Sequence, residues 1–344
     1  MSTTVRRGIN IVLGLACLSL IYLIATRRRL PELDWAAMLT GSEMTSFKIL
    51  FLSIILEAFP FMLLGVLVSA LLQVFVSEET IRRWTPKNPL LGILFGCTLG
   101  IVFPLCECGM IPVVRRLMLK GMPLYIAVVF IIAGPILNPV VYAATFMAFR
   151  SRPEITYSRM GLAVLAAVVI GLIIYRFYRT NPLRSLMPGS GSSLGSDHAH
   201  LHMNTGGFRG KVGATLSHAS DEFFDMGKYL LFGALLTAGI QTLVARETLA
   251  AIGQGEFSSH LFMMGFAYVL SLCSTSDAFV ASSFATTFSA GSLLTFLVFG
   301  PMLDIKNTLM LLSVFRTRFV LALTLLIVAT VLGGSLLFEK FILS

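Results

Sequence analysis

Apolar residues run through this chain in blocks long enough to cross a bilayer, separated by short polar and often basic joints. Blocks at about 46–76, 122–149, 158–178, 226–245, 291–313 and 317–338, with an earlier one from Ile9 to Thr26, each approach or exceed the roughly 18 residues that a membrane-spanning helix needs. Two shorter blocks, about 89–104 and 258–272, stop at polar sequence that carries cysteine. The expected fold is therefore an all-α polytopic membrane protein. Arg6 and Arg7 precede the first block and Arg27, Arg28 and Arg29 close it without a small-residue cleavage site, so it reads as an uncleaved first transmembrane helix.

Composition removes the competing classes. The 344 residues are 56% hydrophobic and only 12% charged, against roughly 25% charged in soluble domains, which excludes a soluble enzyme and a disordered chain. The net charge of +9 does not imply nucleic acid. Its Lys and Arg sit in short clusters between apolar blocks, such as Arg82 with Arg83 and Arg115 with Arg116, the pattern of topology-setting charge at membrane ends. Five cysteines make no disulfide framework; Cys17, Cys97 and Cys273 lie singly in apolar surroundings. No phosphate-cradling loop is present and no cofactor is expected.

The polar, Gly- and Ser-rich stretch 179–221 has linker composition and divides the chain. The expected organisation is a first helix and linker (1–45), a membrane repeat (46–178), a flexible His-containing loop (179–221) and a second membrane repeat (222–344). The duplication is read from ordered matches: Glu57, Gly65, Gln73 and Glu79 recur as Asp225, Gly233, Gln241 and Glu247 at an offset of 168. Pro104-Leu-Cys-Glu-Cys108 matches Ser271-Leu-Cys-Ser-Thr275, and Gly134-Pro-Ile-Leu-Asn138 matches Gly300-Pro-Met-Leu-Asp304. Nine crossings result if both short blocks span the membrane. Seven result if each is a hairpin, with 109–120 and 277–290 as return arms; the repeats are then inverted and their broken helices meet at the midplane, a recurring transporter design. The hairpin reading is preferred because it keeps Arg115 and Arg116 out of lipid, and the positive-inside bias then puts the N-terminus and the 179–221 loop in the cytoplasm.

The strongest local signal is Phe103-Pro-Leu-Cys-Glu-Cys-Gly-Met-Ile-Pro112, where Pro104, Gly109 and Pro112 break a helix at membrane depth. Irregular backbone there is tolerated only in protein or along a cavity. An ionised, unpaired Glu107 would cost about 2.5–3.5 kcal/mol on insertion scales, so it is expected to be protonated, paired or in contact with a ligand. Cys106 and Cys108 offer soft sulfur to a thiophilic solute, and the matching break Cys273-Ser-Thr-Ser-Asp277 adds a thiol, hydroxyls and a carboxylate. Asn138 and Asp304 place side-chain oxygens beside two further breaks and are expected along the route. Glu107, Asp277 and Asp304 are candidate proton carriers. His198, His200 and His202 form a weak candidate metal site in the loop, where a solvated linker is the plainer reading. His218 and His260 are isolated and carry no signal.

The stretch Pro104 to Leu117, with Lys120-Gly-Met-Pro-Leu124 and Ala133-Gly-Pro-Ile-Leu-Asn-Pro139, resembles a family of predicted bacterial permeases that includes the organoarsenical efflux permeases. It is most similar to the subgroup described as one subunit of a two-component membrane permease, whose partner is a second membrane protein. The resemblance implies a secondary active exporter in the cell inner membrane, taking a trivalent arsenical or soft metal species between the repeats. The resemblance makes Cys106 and Cys108 the natural contacts; the reading of the residues themselves extends the expected binding set to Cys106, Glu107, Cys108, Gly109, Asn138, Cys273, Ser274, Ser276, Asp277 and Asp304. The sequence departs from the arsenical exporters at Glu107, where they more usually carry a small residue; an acid there opens a cation solute or proton coupling. A thiol-disulfide oxidoreductase using Cys106 and Cys108, and a non-transporting scaffold, are the alternatives from other classes.

Overall fold

Prolines and capping residues divide the long apolar blocks into straight and broken helices. The computed structural model describes residues 42–75, 77–86, 88–103, 105–178, 182–183, 208–243 and 256–342. Among them the backbone is helical, with one isolated bridge between Leu183 and Phe315 and no strand. The helices are α1 (Ser42–Phe75), α2 (Glu78–Trp84), α3 (Pro89–Val102), α4 (Glu107–Leu119), α5 (Leu124–Leu137), α6 (Pro139–Ala148), α7 (Pro153–Phe177), α8 (Phe208–Leu243), α9 (Glu256–Leu270), α10 (Ser276–Ser283), α11 (Ala290–Met302), α12 (Ile305–Val314) and α13 (Thr317–Phe341). Ile49–Ser344 makes one compact unit, and Met1–Lys48, which includes the start of α1, is a unit of its own. The expected first helix and the loop histidines His198, His200 and His202 lie outside the described residues.

The outside of the bundle is apolar. Leu52, Leu56, Leu63 and Leu67 stand exposed on α1, as do Leu321, Leu325 and Leu337 on α13. Leucines on that scale, with no polar stripe to accompany them, face lipid. Met44–Leu72, Pro153–Phe177, Ala290–Val314 and Thr317–Phe341 are long and apolar enough to cross a membrane, and α5 with α6 forms a fifth stretch bent by 40°. The protein is thus a multi-pass membrane protein.

The central helix of each half of the chain packs on corresponding neighbours. In the first, α5 packs on α3, α4 and α7; in the second, α11 packs on α9, α10 and α13. Between the halves, α5 meets α11, α7 meets α13, α4 meets α12, and α10 meets α6. The short helices α4 and α10 therefore each lie against the other half.

Every break at the centre has a local cause. Pro139 at the first position of α6 disfavours helical backbone at Asn138, and the Asn138 side chain accepts from the Val140 N–H at 2.9 Å to cap α6. Asp304 caps α12 in the same way, accepting from the Asn307 N–H, after Pro301 has weakened the end of α11. After α9, Ser271 adopts a left-handed φ of 47°, a conformation that costs about 1–3 kcal/mol. Its hydroxyl thereby reaches the Ile305 N–H at 3.2 Å and ties the end of α9 to the start of α12.

Candidate functional site

The two cysteine-bearing breaks meet inside the bundle. Cys106 is the N-cap of α4 and Glu107 opens the helix; Thr275 is the N-cap of α10, with Asp277 in its first turn. The Ser274 hydroxyl donates to Glu107 Oε2 at 3.2 Å, joining the two tips across 167 residues of sequence. Ser276 donates to Glu57 Oε1 at 3.2 Å, which brings the half-buried α1 carboxylate to the same place.

Thiols flank Glu107 from both halves. Cys108 is buried, and Cys106, two positions before it at the N-cap, is partly accessible. On the other tip, half-buried Cys273 lies 3.5 Å from the Thr275 hydroxyl and has Glu107 and Glu57 as its charged neighbours. All three cysteines are free thiols.

Two buried cations serve the same centre. Arg159 on α7 is 0% exposed; its Nη2 bonds Asp277 Oδ2 at 2.8 Å and the Ser274 carbonyl at 3.2 Å, and its Nη1 donates to the Thr145 hydroxyl at 2.6 Å. A single side chain thus holds both the acid and the backbone of the second tip. Lys306 on α12 lies 3.9 Å from Asp304 and has the carboxyls of Glu107 and Glu57 and the thiol of Cys108 among its other neighbours. Several buried acceptors here have no hydrogen-bond donor: Glu107 Oε1, Asp277 Oδ1, Asp304 Oδ2 and Asn307 Oδ1. Buried polar atoms are nearly always satisfied, and among the described residues these acceptors, like Arg159 Nε and the hydroxyls of Thr156, Ser158, Thr237 and Ser259, have no partner within the protein.

Small residues let the outer helices close on this centre. A Cβ at Gly65 of α1 would run into the backbone of Gly109 on α4, and one at Gly233 of α8 would meet the Lys306 Cα at 3.2 Å. Gly109 therefore acts as a seat for α1, directly after the thiol pair.

Of the residues singled out from the sequence, Cys106, Glu107, Cys108, Cys273, Ser274, Ser276 and Asp277 come together at the tips. Asn138 is occupied as a helix cap at the edge of α6, and Asp304 combines capping with its contact to Lys306. Among the described residues no three His, Cys, Asp or Glu side chains close into a metal-sized group. Arg159, Thr145 and Ser271 belong to the centre and were not singled out. An arginine one turn inside an apolar block is a readable signal, but Arg159 stands at the block's edge, where such residues usually snorkel to the interface.

His260, read as isolated in the sequence, is fully buried elsewhere, with Nε2 at 2.6 Å from Glu339 and Nδ1 at 2.8 Å from the Thr295 hydroxyl and 3.2 Å from that of Ser335. It pins α9 to α11 and α13.

Comparison with known proteins shows the family. A family described as "Predicted permease" matches residues 43–340. The UPF0718 protein YcgR of Bacillus subtilis is 50% identical over 301 residues, covering 87% of this chain and 99% of that protein. A Streptococcus mutans protein named "Putative two-component membrane permease complex subunit" is 37% identical over 272 residues, covering 79% of this chain and 88% of its own length. No solved structure matches.

Proposed function

Because this chain belongs to the predicted-permease family, we propose that it is a secondary active exporter of a small thiophilic solute, a trivalent arsenical or a soft metal species. The solute binds between the tips of α4 and α10. The carrying observation is the Ser274–Glu107 bond, which puts thiols from both halves and a set of orphan acceptors around one buried point. A soft electrophile such as trivalent arsenic bonds thiolate sulfur in preference to water, and a centre reached by both halves can open to either side as one half moves against the other. The corresponding neighbours of α5 and α11 and the reciprocal α4–α12 and α10–α6 contacts support reading the halves as inverted repeats.

Burial of Cys108 favours ligand binding over disulfide exchange, which requires an accessible thiolate. The distribution of Lys and Arg supports insertion in the inner membrane with a cytoplasmic N-terminus. A second membrane subunit is read as an accessory to a chain that carries the solute by itself, because the Streptococcus relative carries the name of a complex subunit.

Liposomes containing the purified chain test this directly. A trivalent phenylarsenical should cross them faster than empty liposomes, and Cys106→Ser/Cys108→Ser should slow that flux by about tenfold or more, the effect of losing about 1.4 kcal/mol of interaction. Equal flux through the double variant would overturn the thiol site.

A further inference from the structure

The buried charges at the centre do not balance. Among the described residues, Glu107, Asp277 and Asp304 are buried acids there, and Arg159 and Lys306 are the buried bases. Arg159 is committed to Asp277 at 2.8 Å, and Lys306 lies 3.9 Å from Asp304. Glu107, 4% exposed, has no base within ion-pair distance among the described residues; one oxygen accepts from Ser274 and the other has no partner. The groups that face it are Cys106 and Cys108 from α4, Ser274, Cys273 and Asp277 from the second tip, and Asp304 and Lys306 at the start of α12. Arg159 is taken by Asp277 and Lys306 by Asp304, and half-buried Glu57 of α1 adds a further acid to the same centre, so no buried base among the described residues is left over for Glu107.

An isolated ionised carboxylate inside a protein is resolved by a proton or a cation, because the uncompensated charge is far too costly to keep. Resting on the exporter reading above, we propose that Glu107 alone is the coupling group of this permease. It takes up one unit of positive charge per cycle, a proton exchanged with water when the centre opens, while Asp277 and Asp304 stay ionised as fixed partners of Arg159 and Lys306. The step balances as a carboxylic acid releasing its proton to water on one side and the carboxylate recovering one from the other. The three candidate carriers legible in the sequence thus divide into one that titrates and two that hold the tips.

Infrared difference spectroscopy of the purified full chain, taken between acidic and alkaline buffer, reads this without any solute. The wild type should show a high-frequency carboxylic-acid band of a dry site that titrates with pH. The band should disappear in Glu107→Gln, shift but persist in Glu107→Asp, and remain in the charge-neutral pairs Arg159→Gln/Asp277→Asn and Lys306→Gln/Asp304→Asn. A band that survives Glu107→Gln, or that vanishes in either neutral pair while Glu107 is intact, would overturn the assignment. The pH profile of phenylarsenical flux supplies the second readout: Glu107→Gln should flatten it, and an unchanged profile in that variant would count against the assignment. If no solute crosses even with the wild type, the exporter reading fails, and the infrared band still decides whether Glu107 is the titrating group.

Discussion

Arg159 shows how much a single residue at membrane depth decides. Its guanidinium satisfies Thr145, the Ser274 carbonyl and Asp277 together, and Ser274 in turn donates to Glu107. Removing one partner of a buried pair strands the other, at about 3–5 kcal/mol, whereas removing both together is often near neutral. Arg159→Gln should therefore lower the thermal midpoint in detergent strongly, and Arg159→Gln/Asp277→Asn should recover most of the loss; a double variant as unstable as the single one would contradict the pairing. The thiols and acids of the tips were legible in the sequence because an acid between two cysteines in an apolar block has no ordinary explanation. Arg159 was not, because its partner lies 118 positions away and position alone made it look interfacial.

At the scale of elements, the regions of the helix breaks were readable but not their positions: Gly109 and Pro112, expected to break a helix, lie inside α4, which starts at Glu107. Pro139 and the Asn138 and Asp304 side chains mark breaks in sequence, and the structure shows both polar residues spending an oxygen on capping the helix that follows. That function follows the ordinary N-cap chemistry of Asn and Asp and was available from the pattern, but two acceptor side chains beside proline also fit a pathway. The seat of α1 on α4 depends on two facing glycines, which no periodicity announces. Gly65→Ala should destabilise by about 1–3 kcal/mol through overpacking against Gly109. Gly265→Ala, on a helix position with nothing within 4 Å, should be neutral or mildly stabilising. Thermal unfolding of the two variants separates them, and equal midpoints would mean that α1 does not close on α4 as described.

For the whole molecule, apolar block length located four spans and a bent fifth among the described residues, fewer than the seven or nine crossings expected: 158–178 and 317–338 are the helices Pro153–Phe177 and Thr317–Phe341, whereas 226–245 falls largely in α8, which is not among the helices long and apolar enough to cross. Block length could not show that α4 and α10 each pack on the other half, because that information lies in long-range contacts of a few small and polar residues. The central claim is that both halves contribute to one solute site. Equilibrium binding of a trivalent phenylarsenical to the purified chain, measured in half-specific cysteine variants, tests it most directly. Cys106→Ser/Cys108→Ser from the first half and Cys273→Ser from the second should each weaken binding, by about tenfold for the pair, while Cys97→Ser, a buried thiol on α3, should leave it unchanged. Affinity that is insensitive to both tip variants, or that falls only with Cys97→Ser, would contradict a site shared between the halves.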